Sequence, residues 1–424
     1  MRRPFFIGPW PLSRQPGRKS GVGSTRADLK ILLHTDLAIR PEELFWHRDL
    51  GLLTRAFLDL GHEASLVVRP ATPSFTPAPP TSREPVLWAS RSDLRRPAWW
   101  QSHHPDLVIL GLWTRPKYDS IRRAALSATP RVVERADSDG MRTASCGRKT
   151  YARRRYDYFR DRTRTWPTPL SGFAAALYSA VSTLAGPWME ARLTQSLRLI
   201  PDLAVETSGA ADLWRGLAHR FKVKTRIHHI PHPVQTNLFR YKNSPKEKRV
   251  IAVGRWQTYQ KNLPLLLTTL RSFLNRHTDW SGLVVGPGLD FSPPHGRIKF
   301  VPGLPAEQLA EEMRVSRILL FASRYESFLL AGAEALVAGC SVVGPETLVA
   351  TQQLVKIQEC SPSRHPDLLG ALEAELRAWE EGRRDPGKIS GLACSTFSPR
   401  TVAQSFLAAG ENSPSVPTQN PRGN

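Results

Sequence analysis

Residues 318–345 read ILLFASRYESFLLAGAEALVAGCSVVGP, and their pattern decides the fold. The apolar run over 318–321 is short enough to be a buried parallel strand. A polar turn, Ser323-Arg324-Tyr325-Glu326-Ser327, follows it. Residues 328–338 are rich in alanine and leucine and hold no proline, so they favour helix. Gly339 stops that helix, and Ser341-Val342-Val343 begins the next strand. Strand, turn, helix, glycine and strand make one βαβ unit, and such units give a parallel sheet.

Two glutamates give this unit a chemical reading. Glu326 sits in the turn and Glu334 lies eight residues further on, roughly 12 Å along a helix axis. Between them the helix start offers free backbone N–H groups over 327–330 and the positive end of its dipole. That is a place for a phosphate with a carboxylate on either side. A nucleotide sugar has the matching layout: sugar hydroxyls, diphosphate, ribose hydroxyls. Two solvated surface glutamates are the alternative reading. The small residues Ala331, Gly332, Ala333, Ala335 and Ala338 argue for a closely packed helix and against idle carboxylates.

At 424 residues the chain suits two domains of about 150–200 residues each. It carries 59 Lys+Arg against 37 Asp+Glu, a formal +22, which favours anionic partners: nucleotide diphosphates, acidic glycans, anionic lipid or nucleic acid. The arginines are spread widely, which suits a general anion-attracting surface better than one nucleic-acid groove. Cys146, Cys340, Cys360 and Cys394 have no metal or redox spacing and read as reduced thiols of a cytoplasmic protein. No apolar run reaches transmembrane length, and residues 4–10 are too short for a signal peptide. Any membrane contact is therefore expected from the surface.

Outward from the opening stretch, strands are expected at 30–33, 64–68, 107–112, 131–134, 203–206 and 227–232, then at 250–253, 283–285 and 298–301. Helices are expected at 44–60, 263–274, 306–314, 368–379 and 399–407. This alternation argues for open α/β sheets covered on both faces. Residues 1–26 read as a disordered basic leader and 411–424 as a disordered tail. The first domain spans 27–240 and the second 241–410, with a polar linker near 235–248. Residues 69–85 read as a proline-rich loop. The basic stretch 148–164 reads as a solvated helix or loop. Residues 170–186 form the most apolar helix candidate, assigned to core or domain packing, with membrane-surface contact as the alternative.

Arg255 follows a strand and Gly254, at the sheet edge where open α/β folds bind ligands, and Lys261 opens the next helix. Such a pair neutralises a diphosphate leaving group; ordinary surface charge is the alternative. Asp137-Ser138-Asp139 also follows a strand. It reads as a turn, as a cleft-lining acid or as a DxD metal site. Asp137 is taken as the cleft carboxylate, Asp139 second, and no metal is assigned.

The motifs Glu326-Ser327-Phe328, Glu334-Ala335-Leu336, Ala338-Gly339 and Val342-Val343 resemble the Glu-x7-Glu signature of group 1 (family 4) retaining glycosyltransferases. Val253-Gly254-Arg255 with Lys261-Asn262 resembles the same family's Gly-Arg…Lys segment. The resemblance implies the GT-B fold, two Rossmann-like domains facing a central cleft. It implies that Arg255 and Lys261 contact the donor phosphates, that the backbone of Phe328 and Leu329 meets the diphosphate, and that Glu334 holds the ribose. Glu326 would orient the transferred sugar, with Asp137 as the catalytic carboxylate opposite. The family usually has glycine where Leu329 stands, and a glycine-rich loop after its first strand that is missing here. The implied activity is retaining transfer of a hexose from a nucleotide-diphosphate donor to a glycan, lipid or small-molecule hydroxyl, as in polysaccharide biosynthesis. The donor is a co-substrate and no cofactor is implied. Expected partners are the nucleotide sugar, a glycan or lipid-linked acceptor and an anionic membrane surface, with no specific nucleic acid. Two competing readings are a sugar-nucleotide epimerase or phosphorylase on the same fold, and a non-enzymatic anion-binding protein on a decayed scaffold.

Overall fold

In the computed structural model, residues 28–39, 46, 49–70, 85–163, 165–289, 296–358 and 367–411 are described. The leader, most of the proline-rich loop and nearly all of the tail lie outside them. The strands are β1 (Lys30–Ile39), β2 (Glu63–Pro70), β3 (Val86–Trp88), β4 (Leu107–Gly111), β5 (Val132–Ala136), β6 (Asp202–Val205) and β7 (Arg226–His229), followed by β8 (Glu247–Val253), β9 (Ser281–Val285), β10 (Ile298–Val301), β11 (Ser316–Leu320) and β12 (Ser341–Val343). They build a seven-stranded sheet of order β3-β2-β1-β4-β5-β6-β7 and a five-stranded sheet of order β10-β9-β8-β11-β12. Every pairing is parallel, as in Leu33↔Leu66, Leu33↔Ile109 and Ile318↔Ser341. Each crossover is helical or long, as parallel pairing requires.

Apolar residues on successive strand positions serve opposite faces. Ile31, Leu33 and Ile109 pack on one side with the helix Asp49–Asp59, while Leu32, Val108 and Leu110 pack on the other with Trp100. In the second sheet Ile251 and Leu319 face the helix Leu330–Val337, and Val250, Ala252, Ile318 and Leu320 face the helices Leu263–Arg276 and Leu368–Glu380. Both strand faces are covered, so the strands read as continuous apolar runs.

The chain does not end in its second core. Val402, Phe406 and Leu407 of the helix Pro399–Glu411 pack into the first one, and Gly410 lies so close to Leu107 that an added Cβ would meet Leu107 Cδ1 at 2.8 Å.

Three differences from the sequence reading have plain causes. β1 continues to Ile39, well beyond its apolar start, because Ala38 and Ile39 resume pairing with Arg69 and Pro70 after an irregularity. β3 is only three residues long, too short to carry a period of its own. The helix Thr168–Leu184 is not core: Leu170, Phe173, Leu177, Val181 and Leu184 are all exposed. Cys146, Cys340 and Cys394 are free thiols. Among the described residues no helix is long and apolar enough to cross a membrane.

Candidate active site

Open parallel sheets collect ligands beyond the carboxyl ends of their strands, and here the two sets of ends meet. In the second domain the loop after β8 carries Arg255. Gly286 permits this loop its path: its φ is +132°, and a Cβ there would sit 1.8 Å from Gly254 O. Only glycine fits. Trp256 then anchors the loop, donating from Nε1 to Val285 O at 2.9 Å. Arg255 itself is exposed, and among the described residues no carboxylate pairs with it.

The loops after β8 and β11 are stitched together. Arg324 N donates to Gln260 O at 2.8 Å, Gln260 Nε2 to Tyr325 O at 2.9 Å, and Arg324 Nη2 to Asn262 Oδ1 at 2.9 Å. Asn262 adopts the left-handed conformation that its side chain tolerates well. This stitching delivers Lys261 to Glu326: Lys261 Nζ pairs with Glu326 Oε1, which also accepts from Ser323 Oγ at 2.7 Å. Glu326 is only 7% exposed. A carboxylate removed from water in this way needs such partners.

The helix beyond begins at Leu330, two residues later than its alanine-rich composition indicates. Leu329 precedes it with φ +68°, a backbone state that costs a bulky residue about 1–2 kcal/mol. The cost is offset because the Leu329 side chain is buried in the second core. Phe328 is buried as well, its ring edge-on to Phe397 at 5.5 Å, so only its backbone remains for a ligand. Glu334 is half-buried in the middle of the helix. Replacing Leu329 by glycine relieves strain but deletes a buried side chain and loosens the unfolded chain; the expected net loss is about 1–3 kcal/mol. A melting temperature that rises in Leu329→Gly would contradict this assignment of its side chain.

From the first domain come the residues that follow β5, β6 and β7. Asp137, just beyond β5, opens onto the cleft and accepts a hydrogen bond from Ser327 Oγ, next to Glu326. This bond bridges the two domains. Behind it Glu206 is fully buried. The ring of His232 lies between Glu206 and Arg135, with Nε2 at 2.5 Å from Glu206 Oε1 and 2.7 Å from Arg135 Nη2. Arg135 pairs with Asp49 and, at 3.3 Å, with Glu206. His232 also reaches across to the Phe328 ring, 5.3 Å away.

Burial pushes the Glu206 carboxyl up to about 7. The Glu206 charge raises Asp137 above the usual carboxylate range. Glu206 Oε2 is buried and receives no donor. A proton shared between the two carboxyls would supply the missing bond and remove the repulsion.

Asp139 serves elsewhere. It takes Arg154 Nε at 2.7 Å, and the Arg154 guanidinium lies 3.6 Å from the centre of the Tyr325 ring. Its Oδ1 also caps Met141 N at 3.2 Å, the turn chemistry that Ser-Asp-Gly suggests. Sequence reasoning passed over Arg135, Glu206 and His232. Glu206 carried a signal, a charged residue closing an apolar strand at its ligand-binding edge, whereas His232 stood only as part of a linker.

Two parallel α/β domains with a charged cleft between their carboxyl edges define the GT-B class. Residues 247–360 match the family model described as Glycosyl transferases group 1. The second sheet and its helices thus form a group 1 glycosyl transferase domain, and the two domains together have the GT-B fold. Similar solved structures include an α,α-trehalose-phosphate synthase (UDP-forming) from Burkholderia vietnamiensis (11% identity, 91% of this chain and 99% of that one, TM-score 0.59). Sucrose-phosphate synthase from Thermosynechococcus elongatus is 14% identical over 90% of this chain and 98% of that one, with a TM-score of 0.56. HepE of Anabaena in complex with UDP-glucose is 13% identical over 90% and 98%, with a TM-score of 0.54. No curated protein sequence matches the chain.

Proposed function

We propose that the protein is a retaining hexosyltransferase that takes its sugar from a nucleoside-diphosphate donor and passes it to a hydroxyl of a glycan or lipid-linked acceptor. The observation that carries this reading is the Lys261–Glu326 pair, set beside Ser327 and the Asp137 carboxyl across the cleft. When a donor enters, Lys261 exchanges its carboxylate partner for the diphosphate, joined there by Arg255. Glu326 is then released to accept hydrogen bonds from the sugar hydroxyls. Glu334 is assigned to the ribose, and the backbone of Phe328 and Leu329 to the diphosphate.

The bond between the anomeric carbon and the β-phosphate oxygen breaks as the two cations neutralise the charge it leaves. The acceptor oxygen bonds to the same face, and its proton passes to the departing phosphate. No covalent sugar–enzyme intermediate is required, unlike most retaining hydrolases. Asp137 faces the transferred sugar, and its partial protonation through Glu206 limits repulsion toward an anionic donor. No cofactor beyond the donor is assigned. The bound UDP-glucose of HepE supports a uridine donor. NMR of the product is expected to show the donor's anomeric configuration kept in the new linkage. An inverted linkage, or a changed sugar nucleotide without acceptor, contradicts this reading.

The carboxyl pair also predicts a pH dependence. With both groups raised in the folded state, the native protein binds more protons than the unfolded chain between their ordinary and raised values, so this contribution to stability falls as pH rises toward about 7. His34, buried and lowered to about 4 by desolvation, acts in the opposite sense over part of that range, so the comparison must be between variants. Melting curves of wild type and Asp137→Asn from pH 5 to 8 isolate the pair: wild type is expected to lose more stability on alkalinisation. Parallel curves contradict the shared proton.

A further inference from the structure

Trp166, Leu170, Phe173, Leu177, Val181, Leu184 and Trp188 recur at steps of three or four residues. All seven are exposed, Phe173 by 71%, Leu184 by 82% and Trp188 by 62%. Five of them lie on the helix Thr168–Leu184, which at 1.5 Å per residue is roughly 25 Å long, and the spacing confines them to one stripe. The opposite side of that helix is well seated: Ser171, Ala175, Ser179 and Ser182 are buried, and Ser179 Oγ donates to Ala152 O at 2.6 Å. The exposed stripe is thus a finished surface of a folded element. Contiguous apolar patches of this kind mark interaction sites.

The surroundings say what covers it. The helix Thr168–Leu184 carries no charged residue, yet residues 148–192 hold nine Lys and Arg against three Asp and Glu. Those three acids are spoken for: Asp157 pairs with Arg153, Asp161 accepts from Tyr259 N at 2.8 Å, and Glu190 takes Ser145 Oγ at 2.6 Å. Arg148, Lys149, Arg153 and Arg162, on the segment before this helix, and Arg192, on the one after it, are exposed. A tryptophan stands at either end, and Arg192 lies 4.9 Å from the centre of the Trp188 ring. An apolar stripe flanked by cations and closed by tryptophans is the make-up of an element that lies in a lipid–water interface.

We propose that the helix Thr168–Leu184, with its flanking tryptophans and arginines, docks the protein on the surface of an anionic lipid bilayer. The docking helix packs on the helix Arg148–Arg162, Phe159 stacking on Tyr178 at 4.6 Å. That second helix touches the donor domain through Arg154 on Tyr325 and Asp161 on Tyr259. The helix that meets the bilayer therefore packs on the one that braces the loops holding Lys261 and Glu326. This holds whatever sugar or acceptor is used.

The test is flotation of the full chain with vesicles of phosphatidylcholine alone or with ~40% phosphatidylglycerol. Wild type is expected to float with the anionic vesicles, at least ~10-fold less with neutral ones or in high salt. Phe173→Glu/Leu177→Glu is expected to lose at least ~10-fold of that binding with an unchanged melting temperature. Wild type failing to float, or the folded double variant floating as well as wild type, overturns the proposal. So does light scattering that shows a dimer of wild type abolished in the double variant, since the stripe is then a contact between two copies.

Discussion

Glu326→Gln is expected to lower kcat/KM for sugar transfer by at least ~100-fold while the protein stays folded, the scale seen when a preorganised polar contact to the reacting group is removed. Glutamine keeps the shape and an acceptor for Ser323 Oγ but carries no charge. It therefore holds sugar hydroxyls weakly and leaves Lys261 without its counter-ion. Lys261 is largely shielded from water, so a fall of about 1–3 kcal/mol in stability accompanies the kinetic loss. Adding the donor restores part of that stability in the variant, because the diphosphate replaces the missing carboxylate. Single-turnover transfer alongside melting curves separates the two effects. Full turnover by folded Glu326→Gln would remove this residue from the reaction.

Arg122→Met is expected to be the most destabilising single change in the first domain. Arg122 and Glu134 are each 1% exposed and meet in a two-point contact, Nε to Oε2 at 2.5 Å and Nη2 to Oε1 at 2.8 Å. Arg122 Nη1 also donates to Asp119 Oδ1 at 2.5 Å and Arg115 O at 2.9 Å. Thr114 N donates to Glu134 Oε1 at 2.5 Å. Removing one member strands a charge in the interior, which costs about 3–5 kcal/mol. Glu134 lies on β5 just ahead of Arg135 and Asp137, so transfer activity should fall with stability. Arg122→Met/Glu134→Met is expected to recover part of the loss, since the stranded Glu134 charge is gone, while Thr114 N, Asp119 Oδ1 and Arg115 O each lose a partner. Denaturant titration reads both, and a single variant within about 1 kcal/mol of wild type contradicts the buried-pair account.

What the sequence disclosed follows from where its signals lie. The βαβ unit around Glu326 was legible because a buried parallel strand is a short apolar run and a glycine ends its helix. Arg255 could be placed at the strand edge from the strand and Gly254 before it, and Lys261 from its position ahead of the next helix. The pairing of Lys261 with Glu326 was not legible, since it depends on loop-to-loop hydrogen bonds between residues some sixty positions apart. Arg135, Glu206 and His232 escaped for a related reason: they come from three strands or their ends, and only the sheet order brings them together. The helix Thr168–Leu184 misled because an apolar stripe has the same period whether it faces a core or the solvent. Leu329 kept its backbone shape without glycine because burial of its side chain offsets the strain.

The account rests on one cleft binding one diphosphate between Arg255, Lys261 and the start of the helix Leu330–Val337. Calorimetric titration of a panel of nucleoside diphosphates into wild type and Arg255→Ala/Lys261→Ala tests it most directly. Wild type is expected to bind at least one of them, and the double variant, still folded, to bind it at least ~100-fold more weakly, as losing two charge-assisted contacts requires. Equal affinity in the two proteins, or no binding of any nucleoside diphosphate to folded wild type, would contradict it.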